Sequence, residues 1–174
     1  MKPMKHILLL FIDGIGLGED TLNNPFAIAN LPTLNHLTNG HRWLRGIGRQ
    51  ESERSIFVPL DAQLGVAGRP QSGTNQAVIL TGQNVPHLIG RHYGPKPDEM
   101  TRAMLQENNL FLQATRQGKR TALIEAYPPG FHRGIARGKS LPSSYQLAAI
   151  SAGQELFTRS EERRVGKECR SRWS

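Results

Sequence analysis

Six consecutive apolar residues, Ile7-Leu8-Leu9-Leu10-Phe11-Ile12, lie near the start of the chain and stop abruptly at Asp13. A membrane-spanning helix needs about 20 such residues. A signal-peptide core needs roughly 7–15 and then a small-residue cleavage site. The run meets neither condition, although Lys2 and Lys5 precede it. A short, continuous apolar stretch with sharp ends predicts a buried parallel strand over residues 6–12. The expectation is a cytoplasmic chain with no membrane partner.

The chain has 174 residues, of which 37% are hydrophobic and 21% charged. That is enough to bury one domain core without a disulfide or metal staple, and it excludes collagen-like, mucin-like and fully disordered classes. The single cysteine excludes a disulfide framework. With 18 Gly and 11 Pro the sequence is rich in turns, which suits an enzyme with long loops.

Composition changes at Arg159. Residues 159–174 hold six basic and three acidic side chains, the only cysteine (Cys169) and Trp173, without apolar periodicity. Such a charge run reads as a solvated tail or, less often, as a nucleic-acid arm. The segment also resembles the in-frame translation of a common sequencing adapter, whose opening codons AGA TCG GAA GAG spell Arg-Ser-Glu-Glu. On that resemblance residues 159–174 are a non-native, disordered tail. Residues 1–158 are then the N-terminal part of a longer protein. Setting the tail aside removes three of the eight excess positive charges. The case for a nucleic-acid partner weakens accordingly, and none is expected.

Between these ends the punctuation predicts alternating strands and helices. A short helix is expected over 33–38. A weaker strand covers Ile56-Phe57-Val58, ended by Pro59. A Gly/Pro loop spans 65–71, and a helix over 73–81 has Ser72 at its first turn and Gly82 as its C-cap. Residues 83–97 read as a loop. Asp98 caps a helix running to Glu107. Another helix covers 110–117 and ends at Gly118. Residues 120–126 read as a second buried strand, and 143–153 as a final helix capped by Ser143 or Ser144. The fold class expected is α/β, with a mostly parallel sheet, helices on both faces and a truncated C-terminus. Trp43 reads as a packing residue.

Two segments carry chemistry. Asp13-Gly14-Ile15-Gly16 follows the first expected strand, at the sheet edge where sites collect. Asp13 there is either a cation ligand or a polar strand terminator. A dinucleotide loop fails on spacing, because Glu19 stands where a glycine is needed. The second segment is Pro70-Gln71-Ser72-Gly73-Thr74-Asn75-Gln76-Ala77, leading to Thr81-Gly82. Ser72 is either an ordinary N-cap or a nucleophile at a positive helix end that also favours phosphate. It is not a Gly-x-Ser-x-Gly elbow, since Pro70 replaces the first glycine.

Together these motifs resemble the alkaline phosphatase superfamily: an Asp closing the first strand, and a hydroxyl nucleophile nine residues before a Thr-Gly pair. Ser72 and Thr81 have that spacing; Thr74 does not. Phe11-Ile12-Asp13-Gly14-Ile15-Gly16 is similar to the opening of the phosphoglycerate mutase and phosphopentomutase branch. Gln71 to Gln76 and Gly90 to Pro95 look like bacterial metalloenzymes of that branch. The resemblance implies two divalent metal ions, Zn or Mn, with Asp13 and Ser72 among their ligands. It implies Ser72 as the catalytic nucleophile, deprotonated by metal coordination and forming a covalent phosphoserine. The substrate would be a phosphorylated small molecule, contacted by Asn75, Arg91 and His92, with residues 127–158 opening a cap insertion.

The pattern departs from the family in one respect. Its later ligands, an Asp-x-x-x-His run, an Asp-His pair and a final His, have no counterpart among His6, His36, His41, His87, His92 and His132. His36 and His41 are about 140° apart on a helix and make a poor pair. The chain as written is therefore expected to be inactive. Two rivals stand beside the phosphoryl-transfer reading: a metal-independent serine esterase using Ser72, and a non-catalytic module for an anionic ligand. The latter would use basic loops such as His132, Arg133, Arg137 and Lys139. Arg91 and His92 read either as phosphate contacts or as part of a solvated basic loop.

Overall fold

The computed structural model describes residues 6–125 and 127–157. The chain divides into two units, one ending at Asp61 and the other beginning at Ala62. Each is described by itself, and the expected adapter-like tail lies outside the described residues.

In the first unit, proline starts both helices. Helix α1, Pro25–Ile28, is capped by Asn24, whose side chain accepts the Phe26 N–H at 3.1 Å. Helix α2, Pro32–His36, follows Leu31. Proline fits there because the first helical N–H has no partner to lose. Strands β1, Gln50–Glu51, and β2, Ile56–Phe57, form an antiparallel pair, with Gln50 opposite Phe57. Trp43 ties these pieces together, as its expected packing role requires. Its ring lies 6.1 Å from Phe26 and 5.2 Å from Phe57, and its Nε1–H donates to the Leu34 carbonyl at 3.1 Å.

The second unit is helical among its described residues. It comprises α3 (Ser72–Thr81), α4 (Val85–Ile89), α5 (Glu99–Glu107), α6 (Leu110–Arg116), α7 (Pro129–Ala136) and α8 (Ser144–Ser151). The start signals act locally. Asp98 accepts the Thr101 N–H at 3.0 Å, Asn109 accepts those of Phe111 and Leu112, and Ser143 with Gln146 forms a reciprocal capping box. Gly82 ends α3 in the left-handed region at φ 73°, a conformation that favours glycine. Helix α8 packs against α3, α5 and α6. The core they enclose is Ala77, Leu80, Val85, Leu105, Tyr145, Leu147 and Ala148.

The expected mostly parallel sheet with helices on both faces is not present. The sheet is the two-stranded antiparallel β1–β2 pair, and the one parallel contact among the described residues is an isolated bridge, Gly18 to Leu44. Residues 6–12 form no strand, and Ile7 and Leu8 are 97% and 79% exposed. Residues 120–125 likewise form no strand. Leu123 packs against the helical core while Ile124 faces solvent; residue 126 lies outside the described residues. A parallel strand exists only through its neighbours' hydrogen bonds and the layers covering its faces. Apolar content alone does not supply them. Three helices were also missed: α1, where Asn23-Asn24-Pro25 reads as a turn, α4 inside the expected 83–97 loop, and α7, where Pro128-Pro129-Gly130 reads as a turn.

Candidate functional site

The segment around Ser72 begins α3, and the structure separates its two readings. The N-cap is Gln71, so Ser72 is the first helical residue rather than the cap. It is partly buried, whereas Thr74 is wholly so. Thr74 is committed to structure: its hydroxyl donates to the Gln71 carbonyl and accepts the Tyr93 N–H, each at 3.3 Å. Thr81 is also structural, its hydroxyl donating to the Ala77 carbonyl at 2.7 Å and accepting the Gln83 N–H. The Ser72-to-Thr81 spacing is thus the length of one helix, closed by Gly82.

Residues 93–96 press against this helix start. The Thr74 N–H donates to the Tyr93 carbonyl at 3.0 Å. A Cβ on Gly73 would stand 2.6 Å from the Tyr93 oxygen and 2.7 Å from the Lys96 oxygen. A Cβ on Gly94 would stand 3.2 Å from the Ser72 backbone nitrogen. Glycine at both positions permits the close approach.

Three side chains hold the preceding loop by alternate carbonyls. Asn75 Nδ2 donates to Ala62 at 2.8 Å, Asn84 Nδ2 to Leu64 at 2.9 Å, and His92 Nε2 to Val66 at 3.2 Å. Since a carbonyl can only accept, the His92 proton sits on Nε2. Its Nδ1 is buried without a partner among the described residues. Asn75 and His92, expected to touch substrate, therefore anchor this loop.

Segments 67–71 and 91–94 border a cleft of about 480 Å³. Arg69, Gln71, Arg91, His92, Tyr93 and Gly94 line it. Arg91 pairs with Asp98 at 3.2 Å and lies 5.1 Å from the Tyr93 ring centroid, so its exposed guanidinium is braced from two sides. Burial pushes the Asp98 carboxyl up, but the Thr101 backbone hydrogen bond and Arg91 outweigh it and hold the group below its ordinary range. Arg69 has no ion pair among the described residues. The sequence reading passed over Arg69; its one local sign is an arginine between Gly68 and Pro70 just ahead of the hydroxyl-bearing helix.

Asp13 occupies an exposed turn with Gly14 in the first unit, and Ser72 belongs to the second. Both offer oxygen donors suited to a divalent cation. Two donors do not make a tight site, and no group of three or more His, Cys, Asp or Glu side chains among the described residues could hold a metal ion. Arg133, Arg137 and Lys139 are exposed on or just after α7. On the same helix Phe131 stacks on Tyr127 at 4.3 Å. Burial and Glu125, whose carboxylate accepts the Tyr127 hydroxyl at 2.9 Å, push that phenol up to about 12. No described helix is long and apolar enough to cross a membrane. Compared with known protein families, curated proteins and solved structures, the chain matches none.

Proposed function

We propose that this chain carries the nucleophile half of a metal-dependent phosphoryl-transfer enzyme. The reading is a phosphomonoester or diester hydrolase, or a phosphomutase, acting in the cytoplasm on a phosphorylated small molecule. The observation that carries it is the placement of Ser72. It is the first residue of a ten-residue helix, where the positive helix end favours an anion.

Ser72 Oγ attacks phosphorus and loses its proton, and the bond from phosphorus to the leaving oxygen breaks. The leaving oxygen takes up a proton, and a phosphoserine remains. Water then resolves the phosphoserine in a hydrolase, or an acceptor hydroxyl does so in a mutase. Asp13 and Ser72 would be ligands to divalent Zn or Mn, which would supply positive charge near the transferred phosphoryl group. The reading assigns the other ligands to chain beyond Thr158, so residues 1–174 alone do not turn over. Arg91 is the cation on the substrate side, with Asn75 and His92 shaping the loop behind it. A non-catalytic module for an anionic ligand is the second reading, favoured by the basic cleft, which needs no metal.

The test is to sequence the source locus through codon 158, express the longer product with Zn or Mn, and search for covalent phosphate by mass spectrometry. Phosphate on Ser72 that disappears in Ser72→Ala is expected. Turnover that survives chelation, or activity unchanged in Ser72→Ala, overturns the reading.

A further inference from the structure

We infer that the cleft between segments 67–71 and 91–94 binds a phosphate dianion that is not the one transferred, with Arg69 as its principal cation. Its volume of about 480 Å³ lies in the range of small-ligand sites, about 300–1,000 Å³. Two arginines line it, and planar guanidinium forks bind phosphate oxygens two at a time. They are not equivalent. Arg91 shares its charge with Asp98, whereas Arg69 has no ion pair among the described residues.

The walls are built before any ligand arrives. Asn75, Asn84 and His92 fasten the carbonyls of residues 62, 64 and 66, and Gln63 Nε2 reaches the Gly68 carbonyl at 3.4 Å. Arg69 thus extends from a loop whose stem is tied down, which lowers the ordering cost of binding. The cleft borders the start of α3, since Gln71 and Gly94 both line it and both adjoin Ser72. The substrate class that fits is a small molecule carrying a second phosphate on the part that leaves. That assignment rests on the phosphoryl-transfer reading; the phosphate binding itself does not.

The experiment titrates inorganic phosphate into residues 1–174 at constant ionic strength, against a chloride control. Amide signals of Tyr93 and Gly94 and the Arg69 side-chain N–H are followed by NMR. A saturable shift at these groups is expected. Arg69→Gln should weaken it about tenfold, the scale of one charged hydrogen bond. Arg116→Gln, on α6 outside the cleft, should leave it unchanged. Arg69 is exposed, so its variant should keep the fold, checked by circular dichroism. No saturable shift, equal affinity in Arg69→Gln, or equal loss in Arg116→Gln overturns the inference. Phosphate binding that persists in Ser72→Ala supports the cleft independently of the phosphoserine.

Discussion

Ser144 Oγ donates to the carbonyl of Gly73 at 2.6 Å, joining the first turn of α8 to the first turn of α3 across 71 residues of sequence. Ser144 is fully buried. The residue next to Ser72 is therefore seated by a helix distant in sequence. Replacing Ser144 with Ala removes the donor while leaving the carbonyl inside a helix. The expected loss is about 1 kcal/mol of stability, read as a lower urea midpoint at unchanged slope. An unchanged midpoint would show that the contact contributes nothing net.

Gly73→Ala sets two opposed effects against each other. Alanine gains about 1 kcal/mol in helix propensity over glycine. Its Cβ would meet the backbone oxygens of Tyr93 and Lys96 at 2.6 and 2.7 Å, which no rotamer change relieves. Overpacking costs about 1–3 kcal/mol or more. The clash should win, lowering the thermal midpoint; a stabilised variant would refute this account of the close approach.

The Asp98 carboxyl is held below its ordinary range, with burial opposing and the Thr101 N–H and Arg91 prevailing. Because the folded value is the lower one, its contribution is present above the unfolded value of about 3.9 and is lost as pH falls through the folded value. Asp98→Asn keeps a capping oxygen and drops the charge. Wild type should exceed the variant by a few tenths to about 1 kcal/mol near neutrality, a small figure because Arg91 is exposed. The gap should close in acid, as measured by denaturation across pH. A gap that does not depend on pH would assign the effect to something other than the charge.

What the sequence made legible follows the range of the forces involved. Asp98, Ser143 and Gly82 act on groups within a few residues, so the helices they bound were readable to within two residues. Helix α4 has the same punctuation in Asn84, Pro86 and Gly90, yet its five residues passed as loop. Helix α7 was hidden by Pro128-Pro129-Gly130, which reads as a turn although Pro129 is well suited to a first helical position. The strands expected over 6–12 and 120–126 are absent from the described residues 6–12 and 120–125 for another reason. A helix closes its own hydrogen bonds, while a strand borrows them from a segment that no local pattern identifies. The site divides the same way. That Ser72 stands at a helix start was legible from local punctuation, but Arg69 shares a cleft with Arg91 only because a loop 22 residues on lies beside it.

The seating of α3 has a consequence for synthesis. Tyr145, Leu147 and Ala148 of α8 complete the core, and Ser144 fastens Gly73. As the chain leaves the ribosome, α3 to α6 emerge while Leu80 and Leu105 lack those late partners. Helices α3, α4 and α5 can already pack on one another, but the faces they turn toward α8 stay uncovered until Ser151 has cleared the exit tunnel, a window in which chaperones engage exposed apolar surface. The start of α3, already held by the Tyr93 carbonyl, gains its last tie at the end of that interval, from a serine translated some seventy codons after Ser72.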